Sequence, residues 1–522
     1  MNKPTKTSQP LEESRLQPLL LLFATFVLAV SGLVYELLAG TLSSYLLGDS
    51  VYQFSIVIGL FMTAMGIGAW LSRFIQENLE QAFVVTQVML GMIGGLSAPI
   101  LFYAFAYVDN YEAFLFLICI TTGTLIGLEI PIITRILEKH HVLKLNISNV
   151  LTFDYIGALV AAIIFPLVIV PQLGLMSASL MFGLMNIMVA MLVLYLFRDR
   201  LNMMPLALAG VACAGLLTFM LWQSQQLMSM FEQRLYQEEV IFTEQTPYQR
   251  LTLTRDGKRM RLFLNGNLQF DSQDEYRYHE TLVHPVMGLV KHPEHVLILG
   301  GGDGMAVREI LKHDKVGTIT LVDLDSAVTT LFRDNPMLSA LNSQALQNDK
   351  VKIVNKDAWQ FIMDDETLYN VVIIDLPDPH NPSLSKLYSR AFYQHLGRKL
   401  ARDGLIVTQA TSPLFAREAF WCIQHTLDET PSVYHPDETL YTLPYHTYIP
   451  SFGDWGFVIA GHYQPAWNAI SLPESLQFLT PEILASLTHF PPDMASIETD
   501  VNTLQAHPLI RYYEAGWARW FP

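Results

Sequence analysis

Residues 295–325, HVLILGGGDGMAVREILKHDKVGTITLVDLD, decide how the second half of this chain folds. Val296-Leu297-Ile298-Leu299 is a short, apolar, β-rich run that stops abruptly at Gly300-Gly301-Gly302. Such a run reads as a buried parallel strand entering a ligand-binding turn. Residues 305–313 follow with helical spacing, Val307, Ile310 and Leu311 sharing one face, and a second apolar run at 319–322 ends on Asp323. Strand, glycine turn, helix and strand make a βαβ unit. Asp323 lies about 20 residues after the glycines, where an acid at a strand tip can accept both ribose hydroxyls of a bound nucleoside. Asp303 narrows the ligand further. A dinucleotide site presents bare backbone N–H groups to a pyrophosphate, whereas a carboxylate in the turn repels phosphate and attracts a cation. The turn therefore suits a nucleoside with a positively charged arm; the plainer alternative is that Asp303 caps the following helix.

Outward from this unit, the alternation of strands and helices continues, as a doubly wound sheet requires. Apolar runs at 351–354, 370–374 and 405–408 end toward Asp357, at Asp375 and at Gln409. Ligands of such sheets bind at the carboxyl ends of the strands, so Asp303, Asp323, Asp357 and Asp375 are expected to ring one crevice. Upstream, Leu251 and Leu253 alternate with polar neighbours before Asp256-Gly257, and Met260, Leu262 and Leu264 do so before Asn265-Gly266. That is the pattern of tight hairpins in a small antiparallel sheet. The stretch DEYRYHETLVHP then places Tyr278, Leu282 and Val286 on one helical side.

The chain has 522 residues, 51% hydrophobic and only 15% charged, which points to a membrane part plus a soluble part. Seven apolar segments are expected to span a bilayer, near 19–39, 54–72, 82–108, 113–133, 150–171, 175–197 and 203–222. Their glycines, as in GMIGG and MGIGAW, suit close helix packing in lipid. The first segment is too long for a signal-peptide core. Glu36, Glu129 and Asp154 fall inside spans, where ionisable groups line an interior path or, near span ends, snorkel outward. Basic residues cluster in the N-terminal tail (Lys3, Lys6, Arg15), at Arg73, at Arg135-Lys139-Lys144 and at Arg198-Arg200. Those alternate connections are cytoplasmic by the positive-inside rule, and seven spans would then put everything after Trp222 outside. Either one segment fails to cross or the soluble part faces outward. A polar stretch, 223–237, is expected to link the two parts. Beyond residue 225 the chain carries −13 of the total −16 charge, which argues against nucleic acid and for cationic ligands. Cys119, Cys213 and Cys422 are widely separated and form neither a disulfide framework nor a zinc site.

The residues between Gln249 and Ala460 resemble the spermidine synthases, or polyamine aminopropyltransferases. The resemblance rests on YHE at 278–280, GGGDG at 300–304, VDLD at 322–325, DLPDP at 375–379, LYSRAFY at 387–393 and HTYIPSFGDWGF at 446–457. SGLVYELLAG and DYIGALVAA resemble the multi-span region fused to some bacterial members. The resemblance implies a membrane-bound enzyme of the bacterial inner membrane, multi-pass, that moves the aminopropyl group of decarboxylated S-adenosylmethionine to a diamine, putrescine by default. Spermidine and methylthioadenosine are the products, and neither a metal nor a prosthetic group is needed. It implies that Asp375 is the general base and that Gln249, Gly300, Gly302, Asp303, Asp323 and Asp357 bind the donor. Asp323 takes the ribose and Asp357 the adenine amino group. Tyr278, His279, Asp303, Asp378 and Tyr448 belong to the acceptor. By analogy with soluble relatives the chain forms a homo-oligomer.

Two departures bear on the acceptor: Leu376-Pro377 stands where the family has small hydroxyl residues, and an insertion separates Tyr448 from Pro450-Ser451. Cadaverine, agmatine or a longer polyamine are the other candidate acceptors. Two rival functions keep the same fold. A methyltransferase would use intact S-adenosylmethionine, whose own carboxylate would lie against Asp303. A membrane transporter or sensor would only bind ligand, which leaves the Asp375 and Asp378 pair unexplained. The expected architecture is an α-helical transmembrane bundle (1–225), a small antiparallel β entry domain (236–290) and a Rossmann-like, methyltransferase-type doubly wound domain with a C-terminal tail (291–522).

Overall fold

The described residues up to 236 are built of helices, whose backbone hydrogen bonds are satisfied within each apolar run. The computed structural model describes residues 13–47, 50–108, 110–138, 143–198, 203–236, 238–435 and 437–520. Lys3, Lys6, Lys139 and Arg200 of the basic clusters, and Gln237 of the linker, lie outside them. The chain divides into two compact units, Met1–Val240 and Ile241–Pro522.

The first unit contains α1 (Glu13–Leu47), α2 (Ser50–Leu71), α3 (Leu79–Gly95), α4 (Ser97–Tyr107), α5 (Tyr111–Glu138), α6 (Leu143–Ile164), α7 (Val170–Leu196), α8 (Met203–Trp222) and α9 (Ser224–Tyr236). Among the described residues, six apolar helical stretches are long enough to cross a bilayer: Leu19–Leu46, Tyr52–Phe74, Leu79–Tyr107, Tyr111–Glu138, Ile147–Leu196 and Met204–Trp222. Seven were expected. The difference lies in Ile147–Leu196, 50 residues in one run, which at about 1.5 Å per residue is roughly two and a half times the hydrocarbon thickness. No loop separates the expected spans 150–171 and 175–197. A π-helical turn, Phe165–Ile169, joins α6 to α7, and Gly174 then breaks the run with φ 70° and ψ 169°. Close packing does follow the glycines: a side chain at Gly68 of α2 would collide with the carbonyl oxygen of Thr124 on α5.

The linker expectation is corrected as well. Residues 224–236 form α9, whose apolar face belongs to the first unit. Phe231 is buried, its ring 6.4 Å from that of Phe102, and Leu227 and Met228 pack on the same cluster. Polar residues at the intervening positions masked this amphipathic helix in the sequence.

The second unit opens with β1 (Glu239–Gln245), β2 (Arg250–Asp256), β3 (Arg259–Leu264) and β4 (Asn267–Asp271), paired in that order. Asn265 and Gly266 have φ of 50° and 82°, the left-handed pair that a two-residue hairpin turn demands. Helix α10 (Glu275–Leu289) leads into β5 (His295–Gly300), α11 (Met305–Ile310), β6 (Thr318–Asp323), α12 (Ser326–Asp334), β7 (Val351–Asn355), β8 (Tyr369–Asp375), β9 (Leu400–Gln409), β10 (Tyr441–Ile449) and β11 (Gly453–Gly461). The expected helix 305–313 is shorter because the N–H groups of Lys312 and His313 bond three residues back and tighten its end. Buried Glu280 accepts hydrogen bonds from the backbone N–H groups of Gln477, Phe478 and Leu479, tying the C-terminal tail to α10.

The sheet order is β10-β11-β9-β8-β5-β6-β7. Strands β5 to β9 are parallel, as a Rossmann-like domain requires, whereas β11 runs antiparallel to β9 and β10 antiparallel to β11. The expected doubly wound sheet is therefore mixed, its far edge closed by a hairpin. From β5 the chain winds outward through β6 and β7, then returns to β8 on the other side. The carboxyl end of β5 is thus the topological switch point, where such sheets bind ligands.

Candidate active site

The glycine turn is required by what lies beside it. Gly300 and Gly301 have φ of 84° and 66°, and a side chain at Gly300 would run into the carbonyl oxygen of Asp375 on the adjacent β8. A Cβ at Gly301 would stand 3.0 Å from the Asp375 carboxylate. The turn and Asp375 therefore face one another with no side chain between them. Asp323, at the tip of β6, accepts from the backbone N–H groups of Gly302 (3.0 Å) and Asp325 (2.9 Å). Burial pushes its carboxyl up to about 6. Asp303 accepts from the N–H of Met305 at 2.9 Å, but the N-cap position of α11 is Gly304, and Asp303 lines the cavity.

Asp357 caps the helix Ala358–Asp364 through Gln360 N–H (3.0 Å), and its other oxygen takes the Lys386 ammonium at 3.1 Å. Gln249 is held by its amide nitrogen to Asp325 at 3.1 Å, beside Thr246, which donates to the same oxygen at 2.7 Å.

On the other wall, α10 brings in Tyr278, whose hydroxyl donates to Asp375 at 2.6 Å, its ring set between those of Phe452 and Phe457. Burial raises the Asp375 carboxyl above the ordinary carboxylate range, Asp303 adding to it, against the lowering by His279 and the Tyr278 hydrogen bond. His279 is bonded through Nδ1 to Glu275 at 2.8 Å. Burial pushes its imidazole down, but the Glu275 hydrogen bond and the nearby acids outweigh this and raise it to about 9. Arg308 grips both oxygens of Glu275 at 2.9 Å from behind.

Asp378 follows three residues after Asp375. Burial raises it to about 6, against hydrogen bonds from Tyr513, Gln409 and Thr411. The Gln409 and Thr411 bonds measure 3.2 and 3.3 Å. Gln409, ending β9, also fixes the Leu376-Pro377 departure: it donates to the Leu376 carbonyl and to the Tyr388 hydroxyl, which itself donates to the Leu376 and Pro377 carbonyls. Tyr448, at the end of β10, is 59% exposed. Beyond the insertion, Ser451 is pinned by its N–H and hydroxyl to Asp274, just ahead of α10.

All the expected residues, Gln249, Tyr278, His279, Gly300, Gly302, Asp303, Asp323, Asp357, Asp375, Asp378 and Tyr448, line one cavity of about 690 Å³. Five of them are aspartates, so the cavity favours a cationic ligand. Gln409, Tyr513 and Trp517 line it too and were missed. Gln409 had a signal, its place at a strand's end. Tyr513 and Trp517 had none. They come from the C-terminal helix Pro508–Ala518, which only the packing of the tail returns to the site.

Residues 275–465 match the family model described as spermine/spermidine synthase domain. A polyamine aminopropyltransferase from Leptospira interrogans is 43% identical over 500 residues, 96% of this chain and 99% of its own length. Polyamine aminopropyltransferase 2 from Ralstonia nicotianae is 42% identical over 95% of this chain and 98% of its own. Among solved structures, a spermidine synthase in complex with the transition state analogue AdoDATO is 24% identical, with a TM-score of 0.44, covering 48% of this chain and 86% of that one. The spermidine synthase from Thermotoga maritima is also 24% identical, with a TM-score of 0.43, over 48% of this chain and 85% of that one.

Proposed function

The chain belongs to the polyamine aminopropyltransferase family, and from this we propose that its cavity moves the aminopropyl group of decarboxylated S-adenosylmethionine to putrescine. It is an enzyme of the spermidine synthase type. The amine nitrogen attacks the carbon next to the sulfonium; a C–N bond forms and the C–S pair returns to sulfur. Methylthioadenosine leaves neutral, and the nitrogen loses a proton.

What the protein must supply is that deprotonation and an in-line pose, because a diamine is almost fully protonated at neutral pH. Asp375 takes the proton, with Tyr278 fixing the orientation of its carboxylate. Asp378 anchors the acceptor's far ammonium, and Tyr278, His279 and Tyr448 border that end. Across the cleft, Asp323 holds the ribose, Asp357 the adenine amino group, and Gln249 lies against the nucleoside. Asp303 faces the donor's cationic arm. The observation that carries the reading is the close approach of the Gly300–Gly302 turn to Asp375 on the wall of one cavity, which brings the donor turn and the base to the same place. Methylthioadenosine release, measured on purified protein with putrescine, cadaverine and agmatine in turn, tests it. Release should depend on a diamine, with putrescine best. Methyl transfer from intact S-adenosylmethionine, without aminopropyl transfer, would overturn it.

Acid should weaken the acceptor. Asp378 is raised to about 6, so its anionic fraction, which attracts the ammonium, falls as pH drops through that value. Asp375 is raised to about 6 as well, so the kcat/KM for putrescine is expected to fall by about tenfold to a hundredfold per pH unit below 6 as the two acids protonate. A flat profile from pH 7 to 5 would remove Asp378 from acceptor binding.

The six apolar helical stretches support a multi-pass placement in a bilayer. Every proposed site residue nevertheless lies in the second unit. A chain starting at residue 238, after α9, is therefore expected to fold and to turn over. Cutting within α9 would strip its apolar face from the cluster it covers. A truncated protein that binds methylthioadenosine but turns over no diamine would contradict this independence.

A further inference from the structure

The helical unit holds buried polar groups that the transfer reaction does not use. Glu129 of α5 is 6% exposed and accepts a 2.7 Å hydrogen bond from Nε2 of Gln87 on α3. Asn186 of α7 is wholly buried, and neither its amide oxygen nor its amide nitrogen has a partner. Oε1 of Gln87 and the hydroxyl of Tyr35 on α1 are buried and unpartnered as well. The four side chains gather along one face of α3, where Gln87, Gly91 and Gly94 succeed one another at helical spacing. A Cβ at Gly91 would lie 3.4 Å from the Cβ of Asn186, and one at Gly94 would meet the Tyr35 ring at 2.6 Å. The Tyr35 hydroxyl and the Glu129 carboxylate interact electrostatically, and Asp154 of α6 acts on Glu129 in the same way. Gly91 and Gly183 let the backbones of α3 and α7 touch, which brings Asn186 into this interior.

A polar cluster that served only to hold helices together would pair its own members, since hydrocarbon offers no substitute for water. Here one hydrogen bond is made and four polar atoms are left over. Tyr35 and Asn186 also fall near the midpoints of Leu19–Leu46 and of the helix that follows Gly174, the depth at which helical membrane proteins hold internal ligands. The chemistry of the leftover groups selects the ligand. With the Glu129 carboxyl, the leftover groups offer more acceptors than donors: two amide oxygens and a tyrosine oxygen, which can also donate, against the one amide NH2 of Asn186, and Glu129 supplies a negative charge when ionised. Phosphate and carboxylate ligands would be repelled. A divalent metal takes six or more oxygens, several of them from carboxylates. A primary alkylammonium has one positive charge and three N–H donors, and the Tyr35 ring adds an aromatic face.

We propose that the bundle carries a second, non-catalytic site for the alkylammonium end of a diamine or polyamine, formed by Tyr35, Gln87, Glu129 and Asn186. Its ligand class rests on this donor set; the choice of putrescine as probe rests on the catalytic reading.

The test is equilibrium binding of labelled putrescine to the full chain in nanodiscs, with wild type, Glu129→Gln, Asn186→Leu and Asp378→Asn compared. Two classes of site per chain are expected. Asp378→Asn should weaken only one of them. Glu129→Gln, which is nearly isosteric, and Asn186→Leu should each weaken the other at least tenfold, with kcat and the acceptor KM unchanged. The proposal is overturned if both bundle variants bind like wild type. It is equally overturned if thermal stability responds to sodium chloride in a Glu129-dependent way but not to putrescine, which would make the ligand an alkali ion. A gain in stability for Asn186→Leu with binding unaltered would make the cluster structural. A wild-type chain that turned over no putrescine would defeat the catalytic reading, yet its bundle class would still be measurable.

Discussion

Asparagine in place of Asp375 is expected to lower turnover by about 10²-fold or more, the scale of losing a general base, while donor affinity stays nearly intact. The amide keeps an oxygen that can accept from the Tyr278 hydroxyl, so the wall of the cavity should hold its shape. What it loses is a group that can take the amine's proton. The acceptor must then arrive already deprotonated. Alkylammonium groups titrate near 10, so the variant's rate should climb up to about tenfold per pH unit between 7 and 10, where the wild type levels off. Single-turnover rates against pH, with methylthioadenosine affinity measured in parallel, check both halves. Near wild-type turnover at pH 7 would take Asp375 out of the role.

Asp323→Ala should weaken donor and methylthioadenosine alike, because the ribose is common to both. Losing a charge-assisted hydrogen-bonding partner costs about 1.5–3 kcal/mol, roughly 10- to 150-fold in affinity. The same change frees the N–H groups of Gly302 and Asp325, so the turn itself would loosen. The ratio of donor to product affinity separates the two effects. A ribose role leaves that ratio unchanged, whereas a displaced turn would also move Asp303 and penalise the cationic donor more. Unaltered affinity for methylthioadenosine would show that the ribose is held elsewhere.

Much of this was legible before any coordinates. The βαβ unit around Gly300-Gly301-Gly302, the hairpin at Asn265-Gly266 and the acids after β6 and β8 all rest on preferences a few residues long: strand burial, left-handed glycine turns and strand-end capping. The resemblance to the family added the role proposed for each acid. The apolar runs of the first unit were equally plain, since spanning hydrocarbon depends on local composition. Where the reading departed from the structure, a longer-range interaction had won. The 147–196 run carries its π-helical turn and its break at Gly174 inside an unbroken apolar stretch, and the supposed linker became α9 because the bundle offered its apolar face a cluster to cover.

The sequence by itself thus determined the kind of fold, the position of the switch point and the acidic character of the crevice. Only the tertiary structure decided that β10 and β11 close the sheet antiparallel, that Tyr513 and Trp517 return from the far end of the chain to the cavity, and that Asn186 meets the Gln87 face of α3. The physical reason is one of range. Backbone preference and hydrophobic period are written within a turn or a strand, but convergence of side chains hundreds of residues apart is fixed only when whole elements pack and exclude solvent together.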